Sequence, residues 1–69
     1  MKWDKDRIRQ FRKSLNLTQR QFGDLIGVSE VYIRMLELGI RKPSKVLINL
    51  LECIKKEREV KNEKLQRHI

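Results

Sequence analysis

The chain has 69 residues, with 17 Lys and Arg against nine Asp and Glu, a net charge of +8 and a pI near 10.2. That length allows one domain burying roughly 60% of its unfolded surface, too little to enclose a substrate chamber. The single cysteine, Cys53, excludes an intrachain disulfide and points to a reducing compartment, and the charge excess favours a polyanionic partner over a merely well-solvated surface.

Charged residues at Lys2, Asp4, Lys5, Asp6 and Arg7 interrupt any signal-peptide pattern. No apolar run approaches membrane-spanning length, so the expected location is cytoplasmic. A first helix is expected from Asp4, a plausible cap, to Leu15, with Ile8, Phe11 and Leu15 on one face. Trp3 precedes it and is expected to cover one end of the core. Thr18 then offers an N-cap with Gln21 three places on, so a capping box is available to a second helix. Phe22, Leu25 and Ile26 give that helix an apolar face, and Gly27 ends it. Gly23 leaves no side chain where two helices joined by so tight a turn would collide. Val28 packs the turn, Ser29 caps a third helix, and Ile33 and Leu36 are its buried side. Two short helices with a glycine turn between them read as a helix-turn-helix.

Gly39 ends the third helix, and Ile40 to Pro43 form a basic loop. Pro43 cannot sit inside a helix, so a fourth begins at or after it with Ser44 as cap. Leu47, Leu50, Leu51 and Ile54 form its inward stripe, and Cys53 is expected to pack as a small apolar residue. Residues 55–69 carry Val60, Leu65 and Ile69 among many charges. The pairs Glu52–Lys56, Glu57–Lys61 and Glu63–Arg67 stand in the favourable i,i+4 order, which prolongs the fourth helix or builds a short fifth. That segment reads as a solvated helical tail or, with Ile54, Leu65 and Ile69 on one broad face, as a dimer contact. No segment alternates like a strand. The expectation is an all-α bundle of four to five short helices, with an N-terminal arm at 1–3, a DNA-binding domain at 4–54 and a charged tail at 55–69.

The runs RIRQFRKSLNLTQ, FGDLIGVS and IRMLELGIRKPS, followed by a leucine-rich helix, resemble the Cro and lambdoid-repressor class of helix-turn-helix proteins, the XRE family. The resemblance covers Ile8 to Ile54. Asn16 stands where that family often has glycine, and Asn tolerates the left-handed conformation. Met35 and Leu38 occupy positions that are commonly aromatic or polar.

The resemblance implies that Gln19, with Thr18 at the start of the second helix, meets the DNA backbone; unpaired N–H groups and a positive dipole end suit a phosphate there. It implies that the third helix lies in the major groove, with Glu30 and Val31 at the positions that most often touch bases. Ser29, Tyr32, Arg34 and Met35 complete the outward or flanking set. A glutamate at 30 accepts from the cytosine amino group or, in the plainer reading, stabilises the helix dipole. Val31 suits a thymine methyl, and Arg34 suits guanine or a phosphate. Tyr32 meets sugar or phosphate or is a half-buried surface residue, and Met35 is expected to pack against the groove. Arg41, Lys42 and Lys45 surround Pro43 in a loop that the family runs along the phosphate backbone. Arg12 and Glu37 match a pair the family keeps as a structural ion pair.

No cofactor is implied, and no Cys, His, Asp and Glu set around His68 or elsewhere has metal-ligand spacing. No nucleophile–base pair appears, so an enzyme is not expected. The expected function is a sequence-specific double-stranded DNA-binding transcriptional regulator, a repressor binding a pseudo-palindromic operator as a homodimer. Its rivals are an antitoxin that binds a small toxin protein through residues 55–69 and represses its own operon, and a non-specific nucleic-acid module.

Overall fold

The computed structural model describes the backbone of residues 2–67 and the side chains of residues 2–58. Four helices follow one another in it: α1 Lys5–Ser14, α2 Gln19–Ile26, α3 Glu30–Leu38 and α4 Lys45–Arg67. No strand occurs among the described residues. The bundle is all-α with four helices among the described residues, as expected, and α4 continues as one helix of 23 residues, longer than the short helices expected.

Each helix begins where a side chain can take up its orphan N–H groups. Asp4 accepts from the backbone N–H of Arg7 at 2.8 Å. Thr18 accepts from that of Gln21 at 3.1 Å, and the Gln21 amide oxygen accepts in return from the Thr18 N–H at 2.9 Å, closing the capping box. Ser29 accepts from Tyr32 N–H and Ser44 from Leu47 N–H, both at 3.1 Å.

The ends of α1 and α3 are equally well defined. After α1 the chain turns through Asn16 in the left-handed region at φ 59°, and the Leu17 N–H reaches back to the Arg12 carbonyl. Gly39, at φ 79°, closes α3 in the same manner: its N–H bonds to the Leu36 carbonyl and the Ile40 N–H to that of Met35. This is the paired-bond helix stop that an αL residue makes possible. Asparagine in place of glycine at 16 is therefore accommodated without a change of turn.

The core consists of Trp3, Ile8, Phe22, Ile26, Ile33, Leu36, Leu47 and Leu51, with Phe11, Leu15, Leu17, Val28, Tyr32, Ile48 and Ile54 packed against it. Phe22 and Ile33 are completely buried, and each such side chain contributes about 1.5–3 kcal/mol. Phe11 stands edge-on between Trp3 at 5.3 Å and Phe22 at 6.2 Å, measured between ring centroids. Trp3 does cover one end of this core. Its indole N–H donates to Glu52 Oε1 at 2.7 Å, and the Arg7 guanidinium lies 4.7 Å from its ring centroid.

Four expectations are corrected. Leu25 is 52% exposed, because α2 is only eight residues long and buries the narrower stripe of Phe22, Gly23 and Ile26. Leu50 is 37% exposed, with Ile48 closer to the core than the stripe implied. Cys53 is exposed instead of packed. Among the described side chains Glu52 is held by Trp3, not by Lys56. The pairs Glu57–Lys61 and Glu63–Arg67, the residues Val60 and Leu65, and His68 and Ile69 lie outside what is described.

Gly23 sets the angle between α2 and α3. A Cβ placed there would stand 2.6 Å from the Val28 carbonyl oxygen and 3.3 Å from the Ser29 carbonyl carbon. Both are backbone atoms, which no rotamer change can move aside. Gly23→Ala is therefore expected to lower the unfolding free energy by about 1–3 kcal/mol. Urea denaturation followed by circular dichroism measures it, and an unchanged midpoint would show that α3 is free to swing away from α2.

Candidate nucleic-acid interface

The placement of α3 depends on a carboxylate at its far end. Glu37 is 3% exposed, yet it carries charge among three helices. Arg12 of α1 forks onto it, with Nε 2.6 Å from Oε2 and Nη2 3.0 Å from Oε1. The Gln19 amide, at the start of α2, donates to Oε1 at 3.3 Å. Arg9 adds a longer contact of 3.6 Å and donates from Nη2 to the Glu37 carbonyl. Arg12 also donates to the Leu17 carbonyl at 2.9 Å, which ties the turn before α2 to the same group. The expected Arg12–Glu37 pair is thus present, and it is the centre of a larger network.

Burial by itself pushes the Glu37 carboxyl up. Hydrogen bonds from Arg12 and Gln19, with the charges of Arg12 and Arg9, outweigh it and leave the carboxyl below its ordinary range. The hydrogen bond to Glu37 raises the Arg12 guanidinium in turn, against the opposing effect of its own burial.

With its C-terminal end pinned and its Ile33–Leu36 side in the core, α3 turns its other side outward. Ser29, Glu30, Val31 and Arg34 are exposed there, Val31 at 51%. Tyr32 and Met35 are half-buried flanks, and Tyr32 packs on the core. Glu30 and Arg34 are not independent. Arg34 Nη2 lies 3.4 Å from Glu30 Oε1 across one helical turn, with both side chains about half exposed. Such a pair is worth about 0.3–0.5 kcal/mol and opens readily.

Beside this face the exposed Thr18 and half-buried Gln19 mark the N-terminus of α2. Thr18 is occupied by its capping box. Arg41, Lys42 and Lys45 are exposed around Pro43, and among the described residues none of them forms an ion pair. The loop is nonetheless not loose at its root, since the Arg41 N–H bonds to the Met35 carbonyl at 3.3 Å.

Sequence reasoning missed two members of this arrangement. Gln19 was read only toward a backbone phosphate, whereas its amide also holds Glu37, and Arg9 was not singled out at all. Their acceptor lies 18 and 28 residues away, beyond any local pattern. The helical register of Arg9, one turn before Arg12 on the same side of α1, was the available signal.

A family model described as helix-turn-helix matches residues 8–54, which take in most of α1, all of α2 and α3, and the first part of α4. No curated protein and no solved structure gives a significant match to the chain.

The buried carboxylate makes stability depend on acid. Glu37 titrates lower in the folded state than in the unfolded one, so its contribution is complete above the unfolded carboxyl value of about 4.3 and is lost as the pH falls through the folded value. Glu37→Gln is expected to cost about 3–5 kcal/mol at neutral pH, because Arg12 is left without its counter-charge. The difference in urea midpoint between wild type and variant should shrink below about pH 4. A difference independent of pH would show that the network works through shape alone.

Proposed function

The chain belongs to the XRE family of helix-turn-helix DNA-binding domains, and we propose that it is a sequence-specific transcriptional regulator that places α3 in the major groove of double-stranded DNA. One observation carries this reading above the others. The outward face of α3 contributes nothing to the core, yet the core and the Glu37 network hold it in a fixed orientation. A rigid helix with a free polar flank is what direct readout of base edges needs.

In this arrangement Val31 meets a thymine methyl, and Glu30 accepts from a cytosine amino group. Arg34 leaves its weak pair with Glu30 to fork onto guanine or a phosphate. Ser29 and Tyr32 border the sugar-phosphate walls, and Met35 packs against the groove. The N-terminus of α2, with Thr18 and Gln19, faces one phosphate, and Arg41, Lys42 and Lys45 clamp others. Gln19 then has two tasks, since the amide that steadies Glu37 also lies at the DNA side of α2.

Repression is the proposed outcome, because a bound domain blocks access of polymerase to an operator. The protein acts as a homodimer on a pseudo-palindrome whose half-sites lie about 34–36 Å apart. A cytoplasmic location goes with this role; no helix among the described residues is long and apolar enough to cross a membrane. The alternative, an antitoxin that also represses its operon, draws support from an apolar recess between Leu15, Leu17, Leu25 and Ile54 that continues to Glu57 and Arg58. Stable co-purification with a small protein encoded beside this one would favour it.

Selecting bound sites from a random duplex pool tests the main reading. Wild type should yield a symmetric motif, and Val31→Ala and Arg34→Ala should each alter it as well as weaken binding. An unaltered motif for both variants would remove α3 as the reader. Arg41→Ala with Lys42→Ala should instead weaken all sequences alike and reduce the slope of log affinity against log salt by about 2. An identical slope would reject the phosphate clamp.

A further inference from the structure

The basic loop has a second side, and it lines an open cavity of about 580 Å³. This cavity lies between the N-terminal segment, the C-terminal end of α3 and the start of α4. Trp3, Leu36, Leu38 and Ile48 form its apolar wall. Trp3 and Leu36 are buried, whereas Leu38 stands 57% exposed. Lys2, Lys5, Arg41 and Lys42 form its rim, all of them exposed. Among the described residues none of these cations has an ion pair; the pairs found belong to Arg9, Arg12 and Arg34. Asp4 also lines the cavity, but its carboxylate already accepts from the Arg7 N–H as the cap of α1.

An apolar wall beneath a rim of four cations and one carboxylate, Asp4, keeps a net positive charge and is complementary to a molecule with an apolar body and an anionic head. Two other recesses lack this combination. The recess beside Leu25 carries Glu57 with Arg58, and the one beside Tyr32 is bordered by Ser29 and Ser44 with no charged residue. The volume also falls within the range of about 300–1,000 Å³ typical of small-molecule sites.

We propose that this cavity binds a small amphipathic anion, with a carboxylate or sulfonate head on an alkyl or aryl body, and that occupancy opposes DNA binding. The head sits between Lys5 and Arg41, and the body lies against Trp3 and Leu38. Arg41 and Lys42 belong to the loop assigned to phosphate, so a bound anion neutralises charge that the duplex would otherwise meet. This second half rests on the DNA-binding reading; the binding site itself does not.

Trp3 is the sole tryptophan of the chain and part of the cavity wall, so its emission reports occupancy directly. The full chain is titrated with decanoate below its micellar concentration, and with decylammonium as the cation of equal length. Decanoate should give a saturable emission change, and decylammonium none. Lys5→Glu and Leu38→Asp should each weaken decanoate by about tenfold or more, which is about 1.4 kcal/mol. Lys5→Glu places an acid in the first turn of α1, which the helix dipole favours, so its fold is expected to persist. Equal responses to both amphiphiles, no response, or unchanged affinity in both variants would overturn the site. An emission shift that follows protein concentration without ligand would mean that a second copy fills the cavity, and would overturn it too.

The regulatory half is read with a duplex recovered by site selection. Saturating decanoate should weaken wild-type binding about tenfold, and should leave Lys5→Glu nearly unaffected. Binding of decanoate with unchanged duplex affinity overturns regulation while the site stands. A chain that selects no duplex at all sinks the DNA-binding reading, and the emission titration still decides the site.

Discussion

Removing a carboxylate from water costs several kcal/mol, and Glu37 at 3% exposure meets nearly the whole of that cost. It is offset because the acceptor is shared among elements that must be brought together in any case. Arg12 supplies a two-pronged contact from α1, Gln19 a neutral donor from the start of α2, and Arg9 a more distant charge. The turn between α1 and α2 joins through the Leu17 carbonyl. Apolar packing alone would tolerate rotation of α3 about its own axis, since hydrophobic contact is not directional. A bidentate ion pair is directional, and this one fixes which side of α3 faces out.

That constraint works together with the close approach at Gly23. The glycine lets the α2 backbone touch the turn before α3, and the carboxylate holds the opposite end of α3 against α1. One device acts at each end of a nine-residue helix. Between them the rest of α3 needs only Ile33 and Leu36 inside. The +8 charge can then be spread over the surface without strain on the fold, because the half-buried Arg12 is paired with Glu37 and the cations of the 41–45 loop are in water.

Much of this was legible before any coordinates, because it follows from local chemistry. Asp4, Thr18, Ser29 and Ser44 cap the helices they were expected to cap, and Asn16, Gly27 and Gly39 take the positive φ their positions called for. The steric role of Gly23 could also be read from its place in the turn. What failed was anything set by the width of a buried face. Periodicity says on which side Leu25 and Leu50 lie, not how far the neighbouring helix reaches over them. Cys53 was misplaced for the same reason. The bond from Trp3 to Glu52 spans 49 residues, and no spacing rule could have supplied it. The outward position of Val31 and Arg34 agrees with the reading made from their register, while the partnership of Glu30 with Arg34 was overlooked although they stand i,i+4.

Because the free flank of α3 shares no packing with the interior, the side chains at 30, 31 and 34 are replaceable parts. Exchanging them changes what the helix encounters without asking the scaffold to readjust, so new targets can be reached by drift in a few codons. The junctions have no such latitude. A residue inserted near Gly23, Gly27 or Gly39 would break a backbone register that has no slack to absorb it. Variation in this molecule is thus channelled toward substitution on one surface and away from changes in length, a division of labour that also makes it a convenient chassis for grafted specificities.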